Sequence, residues 1–286
     1  MEKVVLDTKA NEEEELLGKK CTPPPELTQE AAEKKLIQEQ GSQEPTEAKK
    51  KTPVLEFFER SEEFEKKCKE IVAKQAEVLD GETYQEFETN ADKHWDIYYK
   101  RNTTNSYKDR HYISVEFNLP VLIPELKELK GRRLTMLEAG CGVGNALFPL
   151  SKLYSTDLKI FGFDFSANAV DMIQKDPRYD TNNIEVHVAD LVNTPLEYKQ
   201  LDIVTLIFVL SAISPENHLK VMQKLWECMD ANSYLYFRDY AEFDMAQLRL
   251  AKKKSKLKDN FYLKDRRILV WLYRVRLYHR RYSHNK

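Results

Sequence analysis

Residues 136–150 read MLEAGCGVGNALFPL: an apolar run ending at Ala139, glycines at 140, 142 and 144, then residues with the spacing of a helix. Glycine lacks a Cβ, so such a turn adopts backbone angles closed to other residues and lets a ligand touch the main chain. In an open parallel sheet, ligands bind beyond the carboxyl ends of the strands, where the first strand-to-helix turn lies. The spacing here is G-x-G-x-G, tighter than the G-x-G-x-x-G of dinucleotide-binding turns, which argues against a nicotinamide oxidoreductase on the same fold.

Outward from this turn the chain alternates strand and helix. RRLTMLEAG, LKIFGFD, NIEVHVAD, LDIVTLIFVL and SYLYFRD read as strands, and ALFPLSKLY, ANAVDMIQK and PENHLKVMQKLWECM as helices. Strands this apolar, separated by helices, predict a doubly wound α/β domain whose parallel sheet is covered on both faces. The second strand ends at Asp164 and the third at Asp190, followed by Leu191. A carboxylate about twenty residues past the glycine turn can accept both hydroxyl protons of a ribose. Asp190 and Leu191 set a polar group and apolar surface where a flat base would lie. The plainer reading has the glycines serving only a tight turn and the aspartates only capping helices. With Glu138 ahead of the glycines, the turn is similar to the E/D-x-G-x-G-x-G loop of class I methyltransferases, and that similarity implies S-adenosylmethionine as cofactor.

The 286 residues carry 45 Lys and Arg against 47 Asp and Glu, a net charge of −2, so only the placement of charges, not their total, can point to a polyanion. Cys21, Cys68, Cys141 and Cys228 lie far apart with no C-x-x-C pair. That predicts reduced thiols, no disulfide and no metal site, in a cytoplasmic protein with the nucleus as second compartment. The opening MEKVVLDTKANEEEE has neither the apolar core of a signal peptide nor the composition of a transit peptide. The longest apolar stretch, Ile203–Ile213, is too short to span a bilayer, so no membrane association is expected. Residues 1–52, rich in Glu, Lys, Gln and Pro, are expected to form a disordered charged tail. Between Val54 and Val78, Phe57, Phe58, Phe64, Cys68, Ile71 and Val72 recur near helical spacing. They predict one or two amphipathic helices, packed on the main domain or offered to a partner.

In HWDIYYKRNTTNSYKDRH, residues 94–111, Trp95 and Tyr99 stand four apart, on one face of a helix. Aromatic faces attract cations by roughly 0.5–2 kcal/mol, which suits a lid over a sulfonium. The same spacing also fits ordinary core packing. Arg101, Lys108, Arg110 and His111, with Tyr107 among them, suit phosphate contact and base stacking, or a solvated face.

WDIYYKRNTTNSYKDRH, LTMLEAGCGVGNALFPL, DFSANAV, LIFVLSAISP, FRDYAEFDMAQLRL and the NFY that follows resemble the methyltransferase-like enzymes that make 3-methylcytidine in the anticodon loop of serine and threonine transfer RNAs. The resemblance runs from about Ala91 to Leu263. It implies a tRNA (cytidine N3) methyltransferase on a Rossmann-like class I sheet, with Trp95, Tyr99, Gly140, Asp164, Asp190, Leu191 and Ile207 contacting S-adenosylmethionine. Serine or threonine tRNA is the implied partner, with seryl-tRNA synthetase as a helper that some such enzymes require. Arg101, Lys108, Arg110 and His111 become the expected RNA contacts. Cytidine N3 carries an in-plane lone pair and is unprotonated at neutral pH, so it needs no general base and alignment dominates the rate. It lies on the Watson–Crick edge, so the target base must be looped or flipped out. The product ring is cationic. Asp239 is the candidate to offset that charge, with Arg238 orienting base or phosphate; an Arg–Asp pair that caps the sheet edge is the alternative.

After NFY the family continues into an Asp-Gly-Thr-Arg segment, a helix and two closing strands, whereas this chain reads LKDRRILVWLYRVRLYHRRYSHNK. The sheet is therefore expected to lack its usual final strands. Lys252, Lys253, Lys254, Arg266, Arg267, Arg274, Arg276, Arg280 and Arg281 make this end basic, fit to track an RNA backbone or never packed on the sheet. The expected organisation is a tail at 1–52, a helical extension with lid and RNA-contact segment at 53–130, the cofactor domain at 131–263 and a divergent basic tail at 264–286. The competing function is a catalytically impaired form that binds cofactor, RNA or a partner without completing the transfer.

Overall fold

The computed structural model describes residues 61–74, 81–253, 255–265 and 268–273. The expected tail at 1–52, and Lys254, Arg266, Arg267, Arg274, Arg276, Arg280 and Arg281 of the basic end, lie outside the described residues. In chain order the described elements are α1 (Glu62–Ala73), α2 (Gly81–Thr89), α3 (Ala91–Asn102), α4 (Tyr112–Glu116), α5 (Leu119–Lys130), β1 (Leu134–Ala139), α6 (Leu147–Leu153), β2 (Leu158–Asp164), α7 (Ala167–Lys175), β3 (Ile184–Val188), β4 (Leu201–Ile207), α8 (His218–Glu227), β5 (Met229–Arg238), α9 (Met245–Lys252), β6 (Lys256–Lys258), β7 (Phe261–Asp265) and β8 (Ile268–Trp271).

Strands β1 to β5 form one parallel sheet in the order β3-β2-β1-β4-β5. Successive side chains leave a strand on opposite faces. Met136, Ile160 and Ile203 accordingly join one core with Leu122 and Leu126 of α5, while Leu137 and Val204 join another with Val221 and Leu225 of α8. β4 is buried along its whole length, Asp202 included. That carboxylate is tolerated because Arg132 clamps it with two bonds of 2.7 and 2.9 Å and the Thr135 N–H adds a third at 2.8 Å. β1 lies between β2 and β4, so the connections diverge at its carboxyl end and open a crevice there.

Among the described residues β5 has no outer neighbour in this sheet. The residues beyond Leu263 depart from expectation. β6, β7 and β8 form a second, antiparallel sheet, and the boundary drawn at 263/264 falls inside β7. Phe261 and Tyr262 are fully buried, and Phe261 stacks on Trp271 with 3.8 Å between ring centroids. Tyr273 then bridges to Ala241, donating its N–H to the Tyr240 carbonyl (3.1 Å) and accepting from the Glu242 N–H (2.9 Å). The abundant cations of this end obscured the run ILVWL, whose β-branched and aromatic residues favour a strand. The N-terminal helix also packs: Phe64, Cys68, Ile71 and Val72 of α1 meet Phe243 and Leu248. No helix among the described residues is long and apolar enough to cross a membrane.

Candidate cofactor and substrate site

The glycine turn begins where β1 ends. Gly140 and Gly142 have φ of +69° and +53°, a region that disfavours side chains, and both are closely approached. A Cβ at Gly140 would lie 2.5 Å from Val209 Cγ2, and one at Gly142 would lie 2.8 Å from the Tyr99 phenol oxygen. A cleft of about 620 Å³ opens above this turn, at the carboxyl ends of the strands, and Trp95, Tyr99, Gly140, Asp164, Asp190 and Leu191 all line it. Ile207 does not line it. As the last residue of β4 its side chain faces the core, and the cleft wall there is Phe208 and Val209. Phe208 takes a left-handed φ of +57°, which redirects the chain at the strand's exit.

Asp164 is buried. Its Oδ2 accepts the Gly142 N–H (2.9 Å) and its Oδ1 the Ser166 N–H (3.0 Å), so the carboxylate holds the glycine turn in place. Each oxygen keeps lone-pair capacity for a further donor. Burial pushes its pKa up to about 6 in spite of those two bonds. Asp190 organises its own loop, accepting the Val192 N–H at Oδ1 (2.8 Å) and the Asn193 side-chain amide at Oδ2 (2.7 Å). Glu138, in the strand beneath the glycines, is more deeply perturbed. Its carboxyl is buried, Oε2 has no partner, and desolvation carries the pKa up to about 8 although Arg110 nearby pulls it down.

The lid helix α3 is anchored by Asp96. Its Oδ1 accepts the Ser166 hydroxyl (2.8 Å) and the Asn168 N–H (2.9 Å), and its Oδ2 accepts the Asn168 side-chain amide (2.5 Å). A carboxylate at the amino end of α7 also meets the favourable end of that helix's dipole. This tether fixes the neighbouring Trp95 over the cleft and buries Tyr99 against Val143 and Ala169, with 5.7 Å between the two ring centroids. One helix thus both lines the cleft, through Trp95 and Tyr99, and packs on the domain.

The basic residues read as one RNA-facing row are divided by the structure. Arg110 turns inward: its guanidinium lies over Phe208 (5.0 Å) and Tyr107 (5.6 Å), and its backbone N–H donates to the Asn145 carbonyl of the glycine turn (2.7 Å). Arg101 pairs with Asp265 of β7, while Lys108 and His111 are exposed. Arg238 and Asp239 likewise part company. Arg238 pairs with Glu116 and lies over Tyr112 (5.0 Å), with a buried Nε left unpartnered. Asp239 accepts the Ser211 and Tyr240 N–H groups, both at 2.8 Å, and burial raises its pKa. Sequence reading missed Lys264, whose Nζ donates to the phenol oxygens of Tyr107 (2.7 Å) and Tyr240 (3.0 Å) and lies 5.7 Å from the centre of the Trp95 ring. The available signal was its place one residue after the NFY-Leu string, within the strand pattern of β7.

The methyltransferase-domain family matches residues 136–232. Human tRNA N(3)-cytidine methyltransferase METTL6 is 41% identical over 187 residues, covering 63% of this chain and 63% of that protein. Zebrafish tRNA N(3)-cytidine methyltransferase METTL2 is 32% identical over 240 residues, covering 72% of this chain and 67% of its own length. The chain belongs to the tRNA N(3)-cytidine methyltransferase family. The tRNA(Thr) (cytosine(32)-N(3))-methyltransferase of Saccharomyces cerevisiae is a further member, 32% identical over 213 residues, 72% of this chain and 33% of that one. The chain spans about 63% of the length of its human relative. In family terms, the five-stranded sheet, glycine turn and strand-end aspartates described above are the class I methyltransferase fold.

Proposed function

We propose that this chain transfers a methyl group from S-adenosylmethionine to N3 of a cytidine in the anticodon loop of a serine or threonine tRNA. The observation that carries the reading is one cleft joining a glycine turn, two strand-end aspartates and an aromatic lid in a chain of this family. The name of the yeast relative, which specifies tRNA(Thr) and cytosine 32, supports the threonine version. A need for seryl-tRNA synthetase belongs to the serine version. Cys141 and Cys228 are buried free thiols, which supports a reducing compartment, cytoplasm or nucleus.

The residues fit the cofactor. Asp164 offers carboxylate oxygens to a ribose diol, the Asp190–Leu191 loop offers a polar edge and apolar wall to a purine, and the bare Oε2 of Glu138 offers a counter-charge to an ammonium. Trp95 and Tyr99 offer ring faces to a cation. When bound, that cofactor supplies an electrophilic methyl group on a sulfonium. The chain's own task is alignment, because the nucleophile carries its own lone pair. Asp239 would offset positive charge growing on the cytosine ring, and its raised pKa means it does so better as pH rises. Lys108 and His111 remain to contact RNA, whereas the Arg110 guanidinium lies over Phe208, a residue that lines the cleft.

Purified chain is incubated with methyl-labelled S-adenosylmethionine and unmodified serine or threonine tRNA, with and without seryl-tRNA synthetase, and digested to nucleosides. Labelled 3-methylcytidine is the expected product. Cofactor binding with no transfer to any of these RNAs, under either condition, refutes the catalytic reading.

A further inference from the structure

Lys224 stands on α8, outside every motif read from the sequence, yet its ammonium is enclosed by one loop. Nζ donates to the carbonyls of Leu191 (2.7 Å), Val192 (3.3 Å) and Thr194 (2.6 Å). An ammonium has three donors, so these three carbonyls account for all of them. A lysine on a solvated helix face would keep its head in water and its stem on the protein. Here the head is turned onto neutral carbonyls with no carboxylate among its hydrogen-bond partners, and desolvation lowers its pKa. The loop it grips is the one that Asp190 begins, and Asp190, Leu191, Val192, Asn193 and Thr194 all line the cleft.

That loop has a second set of ties. The Thr194 N–H donates to the Asp190 carbonyl (2.8 Å), and the Asp190 N–H to the Thr194 hydroxyl (3.0 Å). These bonds close the turn on itself but do not attach it to the rest of the domain. Lys224 does, adding to the packing of Leu191 and Val192 on the core a polar link to a helix whose Val221 and Leu225 are buried in that same core.

We propose that Lys224 is a positioning residue that fixes the 190–194 loop as the wall receiving the purine half of the cofactor. The assignment rests on the cofactor reading above. Its effect falls on nucleoside affinity, since the loop is remote in sequence and in its contacts from Asp239 and Tyr240, where the acceptor base would react.

The test uses S-adenosylhomocysteine titrated calorimetrically into the full chain, with Lys224→Met and Lys224→Arg, alongside amide exchange of the 190–194 loop. Loss of charged hydrogen bonds that hold a binding wall should weaken affinity about tenfold in Lys224→Met. Exchange should quicken in that loop alone, and turnover at saturating cofactor should stay within about twofold of wild type. Lys224→Arg keeps the charge but, with a planar fork, reaches fewer of the carbonyls and should recover part of the affinity. Equal affinity and equal loop exchange in Lys224→Met and wild type overturn the proposal. So does a fall in turnover with affinity intact. Should Lys224→Met fail to fold, Lys224→Arg decides alone by the same two readouts. Absence of binding by the wild-type chain is a different result: it refutes the cofactor reading and not the tether.

Discussion

Replacing Asp96 with alanine should detach the lid while leaving the sheet intact. The carboxylate makes three bonds across to Ser166 and Asn168, at 2.8, 2.9 and 2.5 Å, beside the apolar contact of Trp95 and Tyr99 with Ala169 and Met172 of α7. Bonds to a charged group contribute about 1.5–3 kcal/mol each when buried. Asp96 is only half-buried, so water recovers part of each one, and about 2 kcal/mol in total is a sound working value. That corresponds to about 30-fold in the balance between docked and undocked lid. Apparent cofactor affinity falls by the fraction of molecules whose lid is out of place, so about 30-fold is the ceiling on the loss. Asp96→Asn keeps acceptor capacity on one oxygen and should lose several-fold less. Calorimetry with S-adenosylhomocysteine measures both, and thermal unfolding reports whether the fold survives. Tyr99 remains packed on Val143 and Ala169, so only a modest drop in melting temperature is expected. Wild-type affinity in Asp96→Ala refutes the claim that this tether positions Trp95 and Tyr99.

Gly142→Ala combines a left-handed φ of +53° with a Cβ 2.8 Å from the Tyr99 phenol, so it should push the lid outward and weaken cofactor binding at least tenfold, read by the same titration. Glu138 and Asp164 predict the pH behaviour of the ligand-free chain. Their pKa values, pushed up to about 8 and about 6 from ordinary values of 4.5 and 3.8, mean that the folded state holds protons which the unfolded state releases. Their stabilisation is complete below about pH 4 and is lost as pH rises through about 6 and then 8. Glu138→Gln should remove the upper part of that slope and make the ligand-free protein more stable at pH 8 by a few kcal/mol, with an upper bound on the order of 5 kcal/mol. The same variant should bind cofactor more weakly, because the counter-charge is gone. Denaturant titrations at pH 5, 7 and 8.5 showing parallel pH dependence for variant and wild type would remove Glu138 as the source.

The legible part of this protein is the part written in local pattern. Strands β1 and β2 are apolar runs closed by a glycine turn and by an aspartate, β3 alternates and stops two residues before Asp190, and the positions of Gly140, Asp164 and Asp190 follow from where these strands stop. Partners far apart in sequence were not legible. Nothing near Arg110 in the chain announces that its guanidinium lies over Phe208, nearly a hundred residues on, and so it read as part of an RNA-facing row. Arg238 reads as a neighbour of Asp239, but alternation along a strand sends adjacent side chains apart, and Glu116 takes the guanidinium. Ile207, one residue short of the turn that reaches the cleft, points its side chain into the core. The hairpin of β7 and β8 was hidden by composition: the cations around it drew attention from two short apolar runs, Phe261–Tyr262 and Ile268–Val270, that are buried at consecutive positions without alternation.

That hairpin changes what the end of this chain means for the site. Lys264 joins the phenols of Tyr107, ahead of the glycine turn, and Tyr240, after β5, while Asp265 takes Arg101 at the end of the lid helix. Ile268, Leu269 and Trp271 then form part of the cleft wall. One short strand pair therefore connects the lid, the exit of β5 and the cleft. Its own support is the stacking of Phe261 on Trp271 and the burial of Tyr262 with Leu250 and Leu272, contacts separate from the two cores of the five-stranded sheet. The open edge of β5 lies on the far side of that strand from β4, and the cleft is built without it. The integrity of the cleft thus depends on a hairpin that is present and packed, and not on what lies beyond the outer edge of β5.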